Sequence, residues 1–330
     1  MQLELKIPRS MPWYATPGAP LTRWSAHERA SPCPIGKSGL VSGSPAATGG
    51  GERTMKTVAF VNKKGGVGKS SCVMHLGAEL ARRGLRTLLV DVDSQASLSQ
   101  GLLGREALGL HPSQTLAGLY DDAGSSMAGL VMEIGRPRLA LVAGHDRMTH
   151  FNVPDPWTTG EDQFILRDGL AEVAGDFDLC LLDCPPHVQF CAWSALVAAD
   201  GVVVPCQLED FGIQGVAAIL DSLDHARETA NPRLRLLGIL PTMVAKSLSI
   251  HASYGEDARA AFGEDMFEAT VPASTDYKVA VTLRKAVVEH KPRSLAAKSM
   301  AAVADEMIAR LDARTRSLVS GSPGQGREVA

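Results

Sequence analysis

With 330 residues, 45% of them hydrophobic, and a formal net charge of −3, the chain can bury a sizeable core and is not a protein that coats nucleic acid by bulk charge. Its six cysteines are too sparse for a disulfide scaffold and form no C-x-x-C pair, which argues against a zinc ribbon or dithiol centre and suits a reducing compartment. No run of roughly 18 apolar residues occurs, so no helix is expected to span a membrane, and the amino terminus lacks the apolar core of a secretory signal.

Residues 1–54 are rich in Pro, Gly, Ser and Ala, show no sustained periodicity and carry six Lys/Arg against three Asp/Glu. That composition predicts a disordered leader, and Met55, where strand and helix signals begin at once, is the expected natural start. From there short β-branched and apolar runs alternate with helical stretches, the pattern of a parallel sheet covered on both faces. Strands are expected at 57–62, 86–92, 138–143, 178–183, 201–205, 236–240 and 266–271. After the first, Val73, Leu76, Leu80 and Ala81 recur at helical spacing, and after the fifth Ile213, Val216, Ile219, Leu220 and Leu223 do the same. A last helix is predicted over about 294–314, with Ala297, Met300, Ala301, Ala304, Met307, Ile308 and Leu311 inward, followed by a flexible tail at 317–330. The expected fold class is α/β, a single doubly wound, mostly parallel sheet flanked by helices over residues 55–316.

The sharpest motif is Gly65-Gly66-Val67-Gly68-Lys69-Ser70, between the first strand and the first helix. Glycines suit a backbone that must wrap a phosphate chain and aim successive N–H groups at its oxygens, while the following helix adds its positive end. In that reading Lys69 bridges the outer phosphates and the Ser70 hydroxyl ligates Mg²⁺. Two further segments, Val90-Asp91-Val92-Asp93-Ser94-Gln95 and Leu181-Leu182-Asp183-Cys184-Pro185-Pro186, put carboxylates at the carboxyl ends of strands, where ligands bind in open α/β sheets. The function implied is phosphoryl transfer from a nucleoside triphosphate, which needs positioning, charge neutralisation and an oriented water.

The stretch Lys64 to Ser71 resembles the deviant Walker A motif of the ParA/MinD family of P-loop ATPases. A lysine, Lys63, stands where the general P-loop pattern has its first glycine. The segment around Asp93 resembles that family's second acidic motif, with Ser94 where a proline is usual, and the segment around Asp183 resembles its Walker B motif. Weaker matches follow in order: Val203-Val204-Pro205 with Glu209-Asp210-Phe211 and Gly215, then 267–272. The resemblance covers about residues 57–312 and implies ATP with Mg²⁺ as cofactors and an ATP-stabilised homodimer. It implies that Lys64, Gly65, Gly66, Val67, Gly68, Lys69, Ser70 and Ser71 hold the phosphates, with Lys64 reaching those of the partner subunit. It further places the metal at Ser70, Asp91 and Asp183, catalysis at Lys64, Lys69 and Asp93, and the adenine near Thr242 and Pro272.

From Lys278 to Lys298 six Lys/Arg face one acidic residue, Glu289, in an otherwise slightly acidic chain. Such a patch can grip a phosphate backbone without reading sequence, and the family resemblance points the same way, to Arg284, Lys285, Lys291 and Arg293 as DNA-binding residues. A solvated helix face laced with ion pairs is the bland alternative. The expected function is a cytoplasmic, nucleoid-associated ATPase that partitions plasmid or chromosomal DNA or positions a protein cargo, hydrolysing ATP slowly until a ParB-like adaptor stimulates it. A MinD-like membrane-cycling ATPase is the alternative, but 317–330 holds few large apolar residues for an amphipathic anchor, so stable membrane association is not expected. An iron–sulfur relative is disfavoured because no cysteine lies between Asp93 and Asp178. His75 and His187 lack partners at metal spacing, and Phe190, Cys191 and Trp193 read as core or interface anchors.

Overall fold

The computed structural model describes residues 55–121, 125–208, 212–245 and 249–319, all within one unit, Gly51–Ala330. The expected leader, residues 1–54, and the resemblance at Glu209-Asp210-Phe211 lie outside the described residues. Seven strands form one sheet: β1 (Lys56–Phe60), β2 (Thr87–Asp91), β3 (Met132–Arg136), β4 (Leu139–Val142), β5 (Leu179–Asp183), β6 (Gly201–Gln207) and β7 (Arg235–Thr242). Their order across the sheet is β3-β4-β2-β5-β1-β6-β7, and every pairing is parallel except β3 with β4. The expected doubly wound α/β class holds.

Why this sheet is covered on both faces is written in the strands. In β1, Val58 and Phe60 join one apolar cluster while Ala59, with Val61 just beyond, joins the other; β2 and β5 divide in the same alternating way. Both faces are therefore buried, and a helix layer on each side is the way to keep that surface from water. One layer contains α1 (Lys69–Arg82) and the later helices α8 (Thr275–Thr282), α9 (Val287–His290) and α10 (Leu295–Val319), which share a cluster with Leu89 and Leu181. On the other face α3 (Leu116–Asp121), α4 (Ile165–Glu172), α5 (Phe190–Ala198) and α6 (Gly212–Thr229) cover Leu88, Val90 and Leu182. Phe190, Cys191 and Trp193 are core residues of that second layer. Between β2 and β4 the short α2 (Ser97–Leu103) follows the Asp93 loop, and α7 (Ser249–Phe262) follows β7.

Two strand expectations need correction. The edge strand β3 was not expected; Met132 and Ile134 alternate with exposed Glu133 and Gly135, a one-sided pattern that a five-residue hairpin arm can satisfy at a sheet edge. Conversely, 266–271 is not a ladder strand. It meets β7 and the residues just after it at isolated bridges, Met266 with Ile239 and Pro272 with Val244, and through the Val271 N–H to the Pro241 carbonyl (2.8 Å), while Glu306 of α10 takes the N–H groups of Glu268 (3.0 Å) and Ala269 (2.8 Å). The last helix runs beyond the expected end near Arg314 to Val319, and residues 320–330 lie outside the described residues. Among the described residues no helix is long and apolar enough to cross a membrane.

Candidate functional site

The chain leaves β1 at Phe60 and enters α1 at Lys69 through the glycine-rich loop. Gly66 (φ 77°) and Gly68 (φ 89°) occupy the left-handed region, which explains the residue type at both positions. A Cβ built at Gly65 or Gly66 would meet nothing within 4 Å, so the space beside these backbone groups is open and would admit a phosphate chain. Asn62 braces the turn from beneath: its amide donates to the Pro205 carbonyl (2.6 Å) and its Oδ1 accepts from the Lys64 N–H (2.9 Å). The Lys69 ammonium donates to the carbonyls of Asn62 (3.2 Å) and Lys64 (3.3 Å). Burial lowers the Lys69 pKa, while Asp183, Cys184 and Asp93 pull it back toward the charged form.

Three carboxylates gather at the strand ends opposite this loop. Asp91 and Asp183 are register partners across β2 and β5, and Phe60 of β1 pairs with Asp183 on the other side. Asp183 is fully buried, and among the described residues neither carboxylate oxygen has a hydrogen-bond partner. Burial, reinforced by Asp91 and Asp93, raises its pKa well above the usual range; the nearby Ser70 hydroxyl and Lys69 temper the rise, without Ser70 reaching good hydrogen-bond geometry. Asp91 is also fully buried and pushed up to about 7 by burial, but its oxygens accept from Ser99 and from the Asp93 N–H. Asp93 is largely buried, 9% exposed, its Oδ1 accepting from the Gln95 N–H (2.9 Å).

Beside the loop lies a cavity of about 630 Å³, lined by Gly68, Ser71, Thr242, Met243, Pro272 and Tyr277 among others. Both positions expected near the base, Thr242 and Pro272, therefore line one mostly apolar cavity next to the phosphate loop. The Thr242 hydroxyl is already committed, donating to the Val67 carbonyl (2.8 Å), so this residue fastens β7 to the loop.

The AAA domain family matches residues 55–236. The chromosome-partitioning ATPase Soj of Thermus thermophilus is 35% identical over 257 residues, covering 78% of this chain and 97% of Soj. The chain belongs to the ParA/MinD family of P-loop ATPases. Two solved structures share the fold of this ParA-type ATPase. Cobyrinic acid a,c-diamide synthase of Mycobacterium smegmatis with bound ADP and magnesium is 25% identical with a TM-score of 0.62, covering 81% of this chain and 97% of that one. Apo McdA of Cyanothece is 20% identical with a TM-score of 0.67, covering 77% and 99%.

On this ParA-type fold the basic stretch divides. Lys285, Lys291 and Arg293 are all exposed, and the Lys291 ammonium is ion-paired with Asp276 (2.6 Å). Arg284 adopts φ 53° and lays its guanidinium across Gly104, in the space a side chain there would fill, and its carbonyl accepts from Arg136. Residues that sequence reasoning passed over are Asn62, Ser99, Gly144, Met243 and Tyr277. Asn62 carried a signal, a polar residue closing an apolar strand; the other four meet the site only through tertiary packing.

Proposed function

We propose that this chain is a ParA-type positioning ATPase that binds ATP with Mg²⁺, dimerises on doing so, holds DNA nonspecifically as the dimer and lets go after hydrolysis. Asp183 carries the reading. An isolated buried carboxylate is costly, and one left without a donor among the described residues at a glycine loop, near Ser70, is suited to face a hydrated divalent cation. The donor set of Ser70 and Asp183 fits Mg²⁺, which would offset phosphate charge during phosphoryl transfer.

In this reading the amides of Gly65 to Lys69 and the Lys69 ammonium hold the phosphate chain, and Ser71 lies beside the base cavity. Asp93 orients the attacking water. Lys64 crosses to the phosphates of the partner subunit, so nucleotide state sets assembly state. Exposed Lys285 and Arg293, with Arg284 and Lys291, supply the DNA-holding charge. The relative named as a chromosome-partitioning ATPase, and the neighbour solved with ADP and magnesium, support both the ligand and the role. A ParB-like adaptor or cargo protein would stimulate a slow intrinsic turnover in the cytoplasm.

Light scattering and phosphate release with saturating ATP and Mg²⁺ test the proposal. Wild type dimerises, Lys69→Ala loses ATP binding, Lys64→Ala binds ATP as a monomer, and Asp93→Ala accumulates as an ATP-bound dimer. A wild type that stays monomeric with hydrolysis blocked would refute the switch, and normal turnover by Asp93→Ala would remove its catalytic assignment.

A further inference from the structure

We infer that Ser99 is a positioning residue for hydrolysis, its hydroxyl oriented by Gly144 so that it holds Asp91 and, through Asp91, the loop that presents Asp93. The hydrogen bonds leave little freedom. Ser99 Oγ accepts from the Gly144 N–H (2.9 Å), so its single proton is directed at Asp91 Oδ2 (2.7 Å), which also accepts from the Ser99 backbone N–H (2.8 Å). The other oxygen of Asp91 accepts from the Asp93 N–H (3.3 Å). One buried carboxylate thus joins the first turn of α2 to the backbone of the catalytic loop, and Gly144, just past β4, joins the same knot.

The local backbone explains the need for such a tie. Ala96 caps α2 in the left-handed region (φ 50°, ψ 37°) and has no side-chain acceptor, so the N–H groups of the first turn need one from elsewhere, which Asp91 provides. Ser99 and Asp91 are both fully buried, where a missing partner is expensive. Gly144 is equally constrained by shape. A Cβ there would stand 2.9 Å from Asp91 Cγ and 2.9 Å from the carbonyl oxygens of Asp91 and Asp93. Two of those three atoms are backbone, so no change of rotamer relieves the clash and the loop itself must shift. Asp91 then acts as the holder of Asp93: three donors, two from Ser99 and one from the Asp93 backbone, point at its two oxygens. None of these bonds involves residues 63–71, so the clamp acts on hydrolysis and not on phosphate binding.

The inference rests on the reading of Asp93 as the residue that faces the attacking water, so Asp93→Ala is measured alongside Ser99→Ala, Ser99→Thr and Gly144→Ala in the full chain. ATP affinity, single-turnover hydrolysis and amide hydrogen exchange over 92–99 are the three readouts. Ser99→Ala is expected to slow hydrolysis about 10- to 100-fold with ATP affinity within about twofold, since a displacement of about 1 Å at a reacting geometry costs on that order. Exchange at the Asp93 and Ser99 amides rises, Ser99→Thr restores the rate, and Gly144→Ala reproduces the loss with every polar group intact. If Gly144→Ala does not fold, the two Ser99 variants decide alone. A wild-type rate in Ser99→Ala beside an inactive Asp93→Ala overturns the clamp and leaves the Asp93 reading standing. Equal loss of affinity and rate in Ser99→Ala also overturns it, and normal turnover by Asp93→Ala removes the underlying reading instead.

Discussion

Lowering the pH should unfold this protein partly through His75. The residue sits two turns into α1, fully buried, with Nδ1 accepting from the Val287 N–H (3.1 Å) and its ring 5.1 Å from that of Tyr277. Burial lowers its pKa from 6.5 to about 4. The folded state holds the neutral ring, so the contribution to stability is fully present above pH 6.5 and is lost as pH falls toward 4. A gap of about 2.5 units at about 1.36 kcal/mol each makes the full loss about 3.4 kcal/mol, of which about 2.5 kcal/mol is gone by about pH 4.5. Asp91 works the other way: its folded pKa is raised to about 7, so its contribution is present at low pH and lost as pH rises. The readout is therefore the difference between wild type and His75→Gln, a neutral side chain that can still accept from Val287. Urea melts from about pH 8 down to about 4.5 should show the two stabilities converging by about 2.5 kcal/mol. Parallel curves would refute the assignment of a buried, neutral His75.

Other expectations follow from the packing and the charges. Trp193→Ala should destabilise the fold by about 3–5 kcal/mol in urea melts, because a ring only 1% exposed disappears and Gln163 loses the indole N–H it accepts from (3.0 Å). Native protein should resist iodoacetamide at Cys72, Cys180, Cys184 and Cys191, since burial pushes the Cys72 and Cys191 thiols up to about 12 and the other two upward as well. Fast labelling of any of the four, read by peptide mass, would contradict their burial. In DNA-retention assays with ATP, Lys285→Glu and Arg293→Glu should each weaken binding and flatten its dependence on log salt by about 0.9 or more per residue. Lys291→Ala should do less, because Asp276 already pairs with that ammonium at 2.6 Å; an equal or larger effect would reverse the ranking.

How much could be read in advance depended on whether a feature is local in the chain. The phosphate loop is contiguous, and its glycines, lysine and serine carry their chemistry in their order. Asp91, Asp93 and Asp183 were legible as carboxylates closing apolar runs. The donors around Asp91 were not, because they include Ser99, whose hydroxyl is fixed by Gly144, and Gly144 reaches Ser99 only after β4 lies beside β2. The run at 266–271 shows the same limit in the fold. Met266, Phe267 and Val271 are buried as their hydrophobicity foretold, but burial does not say which acceptor takes each N–H, and Glu306 from α10 claims two of them.

The basic stretch repeats the lesson on the surface. Sequence shows six cations near one acid, yet Asp276 engages the Lys291 ammonium and Arg136 ion-pairs with Glu289, the one acid, and both partners lie outside the stretch. What the amino-acid order determined alone was the alternation of strands and helices and the phosphate cradle, since both follow from periodicity and from backbone demands met within a few residues. The tertiary structure decided the orphaned carboxylate at Asp183, the cavity shared by Thr242 and Pro272, and the tie from Gly144 to Asp93. Each of these joins side chains far apart in sequence, and their solvation and donors do not exist until the strands stand side by side.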